Sequence, residues 1–281
     1  MKTAVVTDSS AGLSQKRAEE LGIYVARMPL TIDGVDYIEE EEITRELFME
    51  KMLNGAVVKT SQPPMGRLVT LFDSLLEDYD HVVFIPISSL LSGTYQTAEV
   101  LAKDYADKVT VIDAKFVSAP LGLLATQVKA MLEKGIHPKE VKEYVEEEGF
   151  MWAALIPEDL NYLKRGGRIK PAAAALANMM KIVPILKVAD GEIDVADKVR
   201  TFKKAVKRGM ELTIEGKTQE EYDFIVLNGG CSSELYDKIV KEMEKVLKTE
   251  IIKTDLYPIV LAHTGPGSIG IAAVKKLDKE F

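Results

Sequence analysis

The sequence has only one cysteine, Cys231, among its 281 residues. A single cysteine excludes an internal disulfide and fits a reducing compartment, so we expect a cytoplasmic protein. No apolar run reaches the roughly 18–20 residues that cross a bilayer, which argues against stable membrane insertion. Excess positive charge is also lacking. Because the net charge is −8, nucleic acid is not an expected partner.

The remaining composition is that of a globular protein, with 47% hydrophobic and 28% charged residues. The length is long for one domain and comfortable for two. Strand-like and helix-like segments alternate up to residue 149, which predicts an α/β domain with a parallel, doubly wound sheet over residues 1–149. Hairpin patterns mixed with helices predict an α+β domain over residues 150–281.

A polar turn with three serines, a glycine and a threonine follows a predicted strand at residues 81–85. It ends at Ser92, Gly93 and Thr94, where a helix is predicted to begin. Free N–H groups at a helix N-terminus, together with hydroxyls, suit an anion. Simple capping of the helix by Ser92 or Thr94 is the alternative. The position after a strand favours a binding site, because α/β proteins bind ligands at the carboxyl ends of strands.

Two more polar turns follow predicted strands. Asp8 ends the first strand, and we interpret it as a turn and cap residue rather than a ligand. Thr60 and Ser61 follow a short apolar run and precede two prolines, which end any strand. The carboxyl ends of parallel strands meet at one edge of a sheet. The sequence therefore predicts that the hydroxyls of Thr60 and Ser92 lie close together.

The second half contains a basic, glycine-hinged turn at residues 164–170, which includes Arg168. It also contains a G-x-G-x-x-G match at residues 265–270, which we expect to follow a β-rich run over residues 251–263. Only residues 271–281 come after it, which leaves no second strand and no acidic residue about 20 positions on. We therefore reject a dinucleotide fingerprint and predict a tight turn that presents His263 and Thr264.

A small-residue segment over residues 172–180 contains four consecutive alanines and ends in two methionines. Such a helix is typical of close packing, but it also leaves room beside a long, thin ligand. Methionines offer an adaptable apolar wall. We hypothesise that Ala173, Ala177 and Met180 line an acyl-chain pocket.

Together, five stretches resemble the DegV family of bacterial fatty-acid-binding proteins, and they occur in the family's order along the whole chain. They are residues 7–10, 60–63, 88–98, 163–169 and 262–267. The resemblance implies two α/β domains with a long-chain fatty acid, such as palmitate, stearate or oleate, buried between them. It implies no cofactor and no chemistry of the chain's own. Relatives of this kind are carriers that present the acyl carboxylate to a fatty-acid kinase for acyl-phosphate formation.

The resemblance also implies roles for particular residues. Thr60 and Ser92 would hold the carboxylate, and His263 with Thr264 would complete or polarise that end. The residues implied at the carboxylate end are Thr60, Ser61, Ser92, Gly93, Thr94, Arg168, His263 and Thr264. The sequence departs from the family pattern at Pro64-Met65 and at Lys170-Pro171.

Two other functions remain open at this point. A serine hydrolase would use Ser92 as nucleophile and His263 as base. Ser92 lacks the Gly-x-Ser-x-Gly elbow of one large hydrolase class. A sugar- or phosphate-binding module would require a polar tunnel instead of a long apolar channel.

Overall fold

The computed structural model describes residues 1–175 and 182–277. Its strands, in chain order, are β1 (Thr3–Asp8), β2 (Tyr24–Ala26), β3 (Pro29–Ile32), β4 (Val35–Ile38), β5 (Val58–Thr60), β6 (His81–Ile85), β7 (Val109–Val111), β8 (Met151–Ile156), β9 (Val183–Ala189), β10 (Glu192–Val199), β11 (Tyr222–Gly229), β12 (Ile252–Asp255) and β13 (Ser268–Lys275). Its helices are α1 (Gln15–Leu21), α2 (Arg45–Leu53), α3 (Met65–Asp78), α4 (Thr94–Ala102), α5 (Ala119–Glu133), α6 (Pro138–Glu148), α7 (Asn161–Gly166), α8 (Pro171–Ala174), α9 (Phe202–Ile214), α10 (Ser233–Leu247) and α11 (Pro258–Thr264).

The chain forms two compact units. Unit 1 contains residues 1–44 and 60–149 with Leu277, and unit 2 contains residues 45–59 and 150–276. One boundary between the units falls between Gly149 and Phe150. Residues 45–59 nevertheless belong to unit 2, a grouping that a single boundary along the sequence cannot express.

Unit 1 is built on a four-stranded parallel sheet with the order β2-β1-β6-β7. All five residues of β6 are buried, as expected for a parallel strand that helices cover on both faces. The core on this sheet is mostly aliphatic, and within it Phe72 meets the rings of Phe84 and Tyr105 edge to face. The prediction of a parallel, doubly wound sheet is confirmed.

Unit 2 is built on a six-stranded mixed sheet with the order β10-β9-β8-β13-β11-β12. Only β11 and β12 pair in parallel, and the other neighbours are antiparallel. Helix α9 packs closely on this sheet because Gly209 has no side chain. A Cβ there would lie 3.0 Å from the Ala154 Cβ. The prediction of an α+β second half is confirmed.

The expected β-rich run at residues 251–263 is wrong. It contains the short strand β12 and then the helix α11, with Pro258 at its first turn. Proline suits that helical position, while the following Ile259 and Val260 gave the segment a strand-like pattern. The expectation that no strand follows residue 270 is wrong as well. Strand β13 is fully buried from Ser268 to Val274 and lies between β8 and β11.

Candidate functional site

The parallel sheet of unit 1 changes winding direction between β1 and β6. From β1, one connection leads outward to β2, while β6 and β7 extend the sheet on the other side. Open α/β sheets bind ligands at the carboxyl ends of the strands that flank such a switch point. Here those ends carry Asp8, after β1, and residues 86–94, after β6. We call residues 86–94 the hydroxyl turn.

Asp8 is completely buried and organises the carboxyl end of β1. Its Oδ1 accepts hydrogen bonds from the Ser10 N–H at 2.9 Å and from the Ser10 hydroxyl, and its Oδ2 accepts one from the Ile87 N–H at 2.8 Å. Burial raises the pKa of Asp8 to about 6, although these hydrogen bonds lower it in part. Asp8 therefore joins the ends of two neighbouring strands, consistent with its interpretation as a turn and cap residue.

The hydroxyl turn presents Ser92 and Thr94 at the start of α4. The two hydroxyl oxygens lie 2.9 Å apart, with Ser92 half-buried and Thr94 fully buried. The N-cap position is held by Gly93, which has no side chain to cap the helix. The Ser92 hydroxyl accepts a long hydrogen bond of 3.4 Å from the Thr94 N–H, so the capping alternative for Ser92 stays open. Two hydroxyls stand together beside a helix N-terminus.

The turn that contains Thr60 and Ser61 contacts the hydroxyl turn through the side chain of Gln62. The Gln62 amide nitrogen donates to the Thr97 hydroxyl at 3.0 Å, and a Cβ added to Gly93 would lie 3.0 Å from the Gln62 Oε1. Unit 1 thus places these two turns side by side.

Strand β5 is absent from the four-stranded sheet, so the expectation that Thr60 lies on the edge of that sheet is wrong. Its strand lies in a separate small sheet.

In unit 2, His263 lies at the end of α11 against the basic turn. A Cβ on Gly166 would lie only 2.2 Å from the His263 Nδ1, so the imidazole occupies the space beside this glycine. The Arg168 guanidinium donates to the Gly166 carbonyl at 2.6 Å. Burial, and next the charge of Arg168, lower the pKa of His263 to about 4. His263 is therefore neutral at physiological pH.

His263 and Thr264 are the last two residues of α11, and Thr264 is buried. The prediction that a tight turn presents these two residues is therefore wrong, because the helix that starts at Pro258 continues through them. We call residues 263–268, which join the end of α11 to β13, the glycine turn. The Ser268 hydroxyl lies 3.1 Å from the Thr264 hydroxyl and 2.8 Å from the Gly265 carbonyl. Unit 2 thus brings Arg168, His263 and Thr264 into one neighbourhood, whereas the hydroxyls of Thr60, Ser61, Ser92 and Thr94 belong to unit 1.

The glycines of the glycine turn have a structural explanation. Gly265 and Gly267 have φ angles of 79° and 78°, a region that other residues rarely adopt. The Tyr162 ring covers Gly265, where an added Cβ would lie 2.5 Å from it, and the Glu158 carboxylate covers Gly267 in the same way. The G-x-G-x-x-G match therefore reflects close packing, in agreement with the rejection of a dinucleotide fingerprint.

The residues proposed for the acyl-chain pocket are only partly visible. Ala173 is fully buried in α8. Ala177 and Met180 lie outside the described residues.

Metal binding and membrane-spanning helices can also be assessed within residues 1–175 and 182–277. No group of three or more His, Cys, Asp or Glu side chains there could hold a metal ion. Helices α5 and α10, at 15 residues each, are the longest described, and none of the helices in these ranges is suited to spanning a bilayer.

Sequence reasoning missed two residues of the site. Gln62 was included only through the stretch 60–63, and Asp113 was not assigned to the site. Asp113 accepts hydrogen bonds from both the N–H and the hydroxyl of Ser89. The available signal for Asp113 was the one that marks Asp8, a carboxylate directly beyond an apolar strand at the binding edge of a parallel sheet.

Comparisons with a family model and with known proteins all match proteins of one family. The model of the family described as "Uncharacterised protein, DegV family" matches residues 2–276. A DegV domain-containing protein of Staphylococcus aureus is 31% identical over 278 residues, which cover 98% of this chain and 99% of that protein.

Two solved structures extend the likeness to the fold. A DegV family protein from Thermus thermophilus, described by its fatty-acid binding, has a TM-score of 0.84 and 30% identity. The match covers 98% of this chain and all of that one. A stearic-acid-binding protein from Eubacterium ventriosum has a TM-score of 0.89 and 25% identity, with 98% and 99% of the two chains covered.

Proposed function

The chain belongs to the DegV family, and from that premise we propose that it binds a long-chain fatty acid and presents its carboxylate to a fatty-acid kinase. The observation that carries the proposal is the pair of hydroxyls at Ser92 and Thr94, 2.9 Å apart at the switch point of the unit 1 sheet. The fatty-acid binding described for relatives of the same fold supports the choice of ligand.

In this proposal, the two adjacent turns of unit 1 bind the carboxylate of the fatty acid. Thr60 and Ser92 donate hydrogen bonds to its oxygens, and Ser61, Gly93 and Thr94 complete the surroundings. A carboxylate loses strong hydration when it is bound, so its oxygens need donors in return. Hydrogen bonds to a charged group contribute about 1.5–3 kcal/mol each. These residues therefore set the orientation of the head group more than the total affinity.

The acyl chain would supply most of the affinity. About 14 methylenes at roughly 0.8 kcal/mol each correspond to about 11 kcal/mol of gross burial, before the cost of ordering the chain. We assign Ala173, Ala177 and Met180 to the acyl-chain pocket. Replacing Ala177 with Phe should then weaken binding of long chains before short ones. An unchanged chain-length preference in a folded variant would remove Ala177 from the pocket.

Presentation to a kinase is the second part of the proposal. The partner would transfer the γ-phosphoryl group of ATP to a carboxylate oxygen, which yields an acyl phosphate and ADP. In this scheme the chain is a cytoplasmic carrier without chemistry or cofactor of its own. We assign His263, Thr264 and Arg168 to this presentation. A neutral imidazole can donate a hydrogen bond to a carboxylate oxygen without forming an ion pair with it. His263→Ala should impair transfer more than lipid retention.

Mass spectrometry of ligand extracted from the purified protein tests the first part directly. We expect a saturated or monounsaturated fatty acid. Repeated purifications that yield no lipid, followed by failure of the lipid-free protein to bind stearate or oleate, would overturn the proposal.

A double variant tests where the carboxylate is held. Thr60→Ala with Ser92→Ala removes two donors and should weaken stearate binding by about 2–4 kcal/mol, measured by calorimetry. The loss should be smaller for methyl stearate, which carries no charge. The exposed Thr70→Ala, with a hydroxyl that bonds within α3, serves as the control. Equal losses for both ligands would mean that the head group is held elsewhere.

The same preparation separates a carrier from a hydrolase. A fluorophosphonate probe should leave Ser92 unlabelled, because a carrier has no need for an activated serine. Covalent labelling of Ser92 would favour the hydrolase.

A further inference from the structure

The hydroxyl turn is held from both neighbouring strands of the sheet. On the β1 side, Asp8 accepts from the Ile87 N–H. On the β7 side, Asp113 accepts from the N–H of Ser89 at 3.1 Å and from its hydroxyl, and the Phe116 carbonyl accepts from the Ser88 N–H at 2.9 Å. Three consecutive residues of the turn, 87–89, are therefore anchored before the chain reaches Ser92.

The anchors continue into the turn itself. The N–H groups of Leu91 and Ser92 both donate to the Ser88 carbonyl, at 3.0 and 3.1 Å. The position of Ser92 thus depends on Ser88, whose own N–H is held by the loop after β7. A displacement of residues 88–89 would move the Ser92 hydroxyl with them.

Asp113 is itself held by helix α6. Its N–H donates to the Glu146 Oε1 at 3.0 Å, and Lys142, one helical turn earlier, donates to the Val111 carbonyl at 2.7 Å. Lys142 lies 3.7 Å from Glu146. A connected path of hydrogen bonds therefore runs from α6 through Asp113 to Ser89.

We propose that Asp113 is a positioning residue that fixes the hydroxyl turn for carboxylate binding, with Glu146 on α6 as its support. This inference rests on the proposed function, since it concerns the same head-group site. It also means that Ser89 is not a carboxylate donor, because its hydroxyl donates to Asp113. A negative charge near an anionic ligand is otherwise unfavourable, and a geometric role accounts for a carboxylate at this position.

Whether Asp113→Ala strengthens or weakens fatty-acid binding distinguishes a positioning role from simple electrostatic repulsion. If Asp113 acted only through its charge, Asp113→Ala would strengthen binding of a fatty acid by removing a repulsion. If Asp113 positions the turn, the same variant weakens fatty-acid binding and leaves the methyl ester nearly unaffected. General destabilisation would instead weaken both ligands alike.

The experiment measures the affinity ratio of stearate to methyl stearate by calorimetry. We expect Asp113→Ala to lower this ratio about fivefold and Ser89→Ala to lower it by a similar factor. The double variant should lower it no further than Asp113→Ala alone, because both residues belong to one contact. Glu146→Gln should lower it by about twofold. The exposed Glu147→Gln, on the same helix with the same charge change, is the matched control and should leave the ratio unchanged.

A second measurement does not depend on any ligand. Hydrogen exchange of the Ser89, Leu91 and Ser92 amides should be at least tenfold faster in Asp113→Ala, while the β6 amides keep their wild-type rates. If the wild-type protein binds no fatty acid, the proposed function fails, but this exchange result still tests the positioning of the turn. An unchanged exchange pattern, or an unchanged or increased affinity ratio in Asp113→Ala, would overturn the inference.

Discussion

The hydroxyl turn and the glycine turn are both polar connections next to buried strands, but different forces fix them. The hydroxyl turn is held by hydrogen bonds to carboxylates, with Asp8 and Asp113 as acceptors. The glycine turn is held by side chains packed onto glycines, with Tyr162 on Gly265 and Glu158 on Gly267. The conformation of the hydroxyl turn should therefore depend on the charges of its carboxylates, and the conformation of the glycine turn on the volume added at its glycines.

Each turn also has a buried titratable group beside or within it, Asp8 bound to the hydroxyl turn and His263 at the start of the glycine turn, and the two respond oppositely to acid. Burial raises the pKa of Asp8 to about 6 and lowers the pKa of His263 to about 4. In both cases burial favours the neutral form. The comparison teaches that burial penalises the charged form in both units, so a fall in pH neutralises the acid of unit 1 and charges the base of unit 2.

The largest expected effect comes from adding volume to the glycine turn. Gly265→Ala places a methyl group against the Tyr162 ring at a backbone conformation that suits glycine only, and we expect a loss of about 4 kcal/mol in the free energy of unfolding. Gly216→Ala is the matched control in unit 2, with φ of 69° and no atom within 4 Å of the added Cβ. It should cost about 1–2 kcal/mol. Equal losses, measured by urea denaturation, would show that packing does not fix this turn.

The next effect concerns acid. His263 has a folded-state pKa of about 4, below its usual value of 6.5, so its stabilising contribution is complete above pH 6.5. It is lost as the pH falls towards 4, by about 3 kcal/mol. His263→Gln should remove this pH dependence. The measurement is the difference in unfolding free energy between wild type and variant from pH 7 to pH 4. A constant difference would contradict the prediction.

Asp8 should show the opposite trend. Its folded-state pKa of about 6 lies above 3.8, so its favourable contribution is complete below about pH 4 and is lost as the pH rises through 6. The size is about 3 kcal/mol, slightly below that of His263. Asp8→Asn leaves the Ile87 N–H without its acceptor and lowers stability overall, but it should remove this pH dependence. If variant and wild type run parallel from pH 4 to pH 7, Asp8 is ionised throughout.

The smallest effects should be equal in the two units. Ser14 caps α1 in unit 1, and Ser232 caps α10 in unit 2, each through a hydrogen bond to the third residue of its helix. Ser14→Ala and Ser232→Ala should each cost about 1 kcal/mol at every pH, because no titratable group takes part. Thermal unfolding at pH 5 and pH 7 checks this. A pH-dependent loss would show that the contrast between the turns extends beyond Asp8 and His263.

Local pattern was sufficient for most of the fold. The parallel sheet of unit 1 followed from apolar strands alternating with helices. The turns that join β3 to β4 and β9 to β10, at Asp33-Gly34 and Asp190-Gly191, have the residue types that hairpin turns favour. Strand β13 was missed because Gly270, Ala272 and Ala273 have little intrinsic strand preference. Its conformation comes from burial between β8 and β11, which is a tertiary effect.

The candidate site was predictable in its residue types but not in its support. Ser92 and Thr94 were found because hydroxyls follow a strand at a helix start. The Asp113–Ser89 contact could not be found in the same way, because it joins residues from different strand ends and depends on the order of strands in the sheet. For His263, the sequence predicted exposure in a turn but not its packing against Gly166, a residue 97 positions earlier.

Residues 45–59 give the molecule an interleaved chain path. Arg45, the first residue of α2, donates to the carbonyls of Asn228 and Leu256 and forms an ion pair with Asp255. It thus binds the ends of β11 and β12, in a sheet whose strands begin only at residue 151. A fragment ending at Gly149 would carry this helix without its sheet, and a fragment beginning at Phe150 would carry the sheet without its helix. Neither half of the gene encodes a finished unit. During synthesis, residues 45–59 must wait for the sheet of unit 2, whose first strand begins at residue 151, so this early segment reaches its final place only after most of the chain has been made.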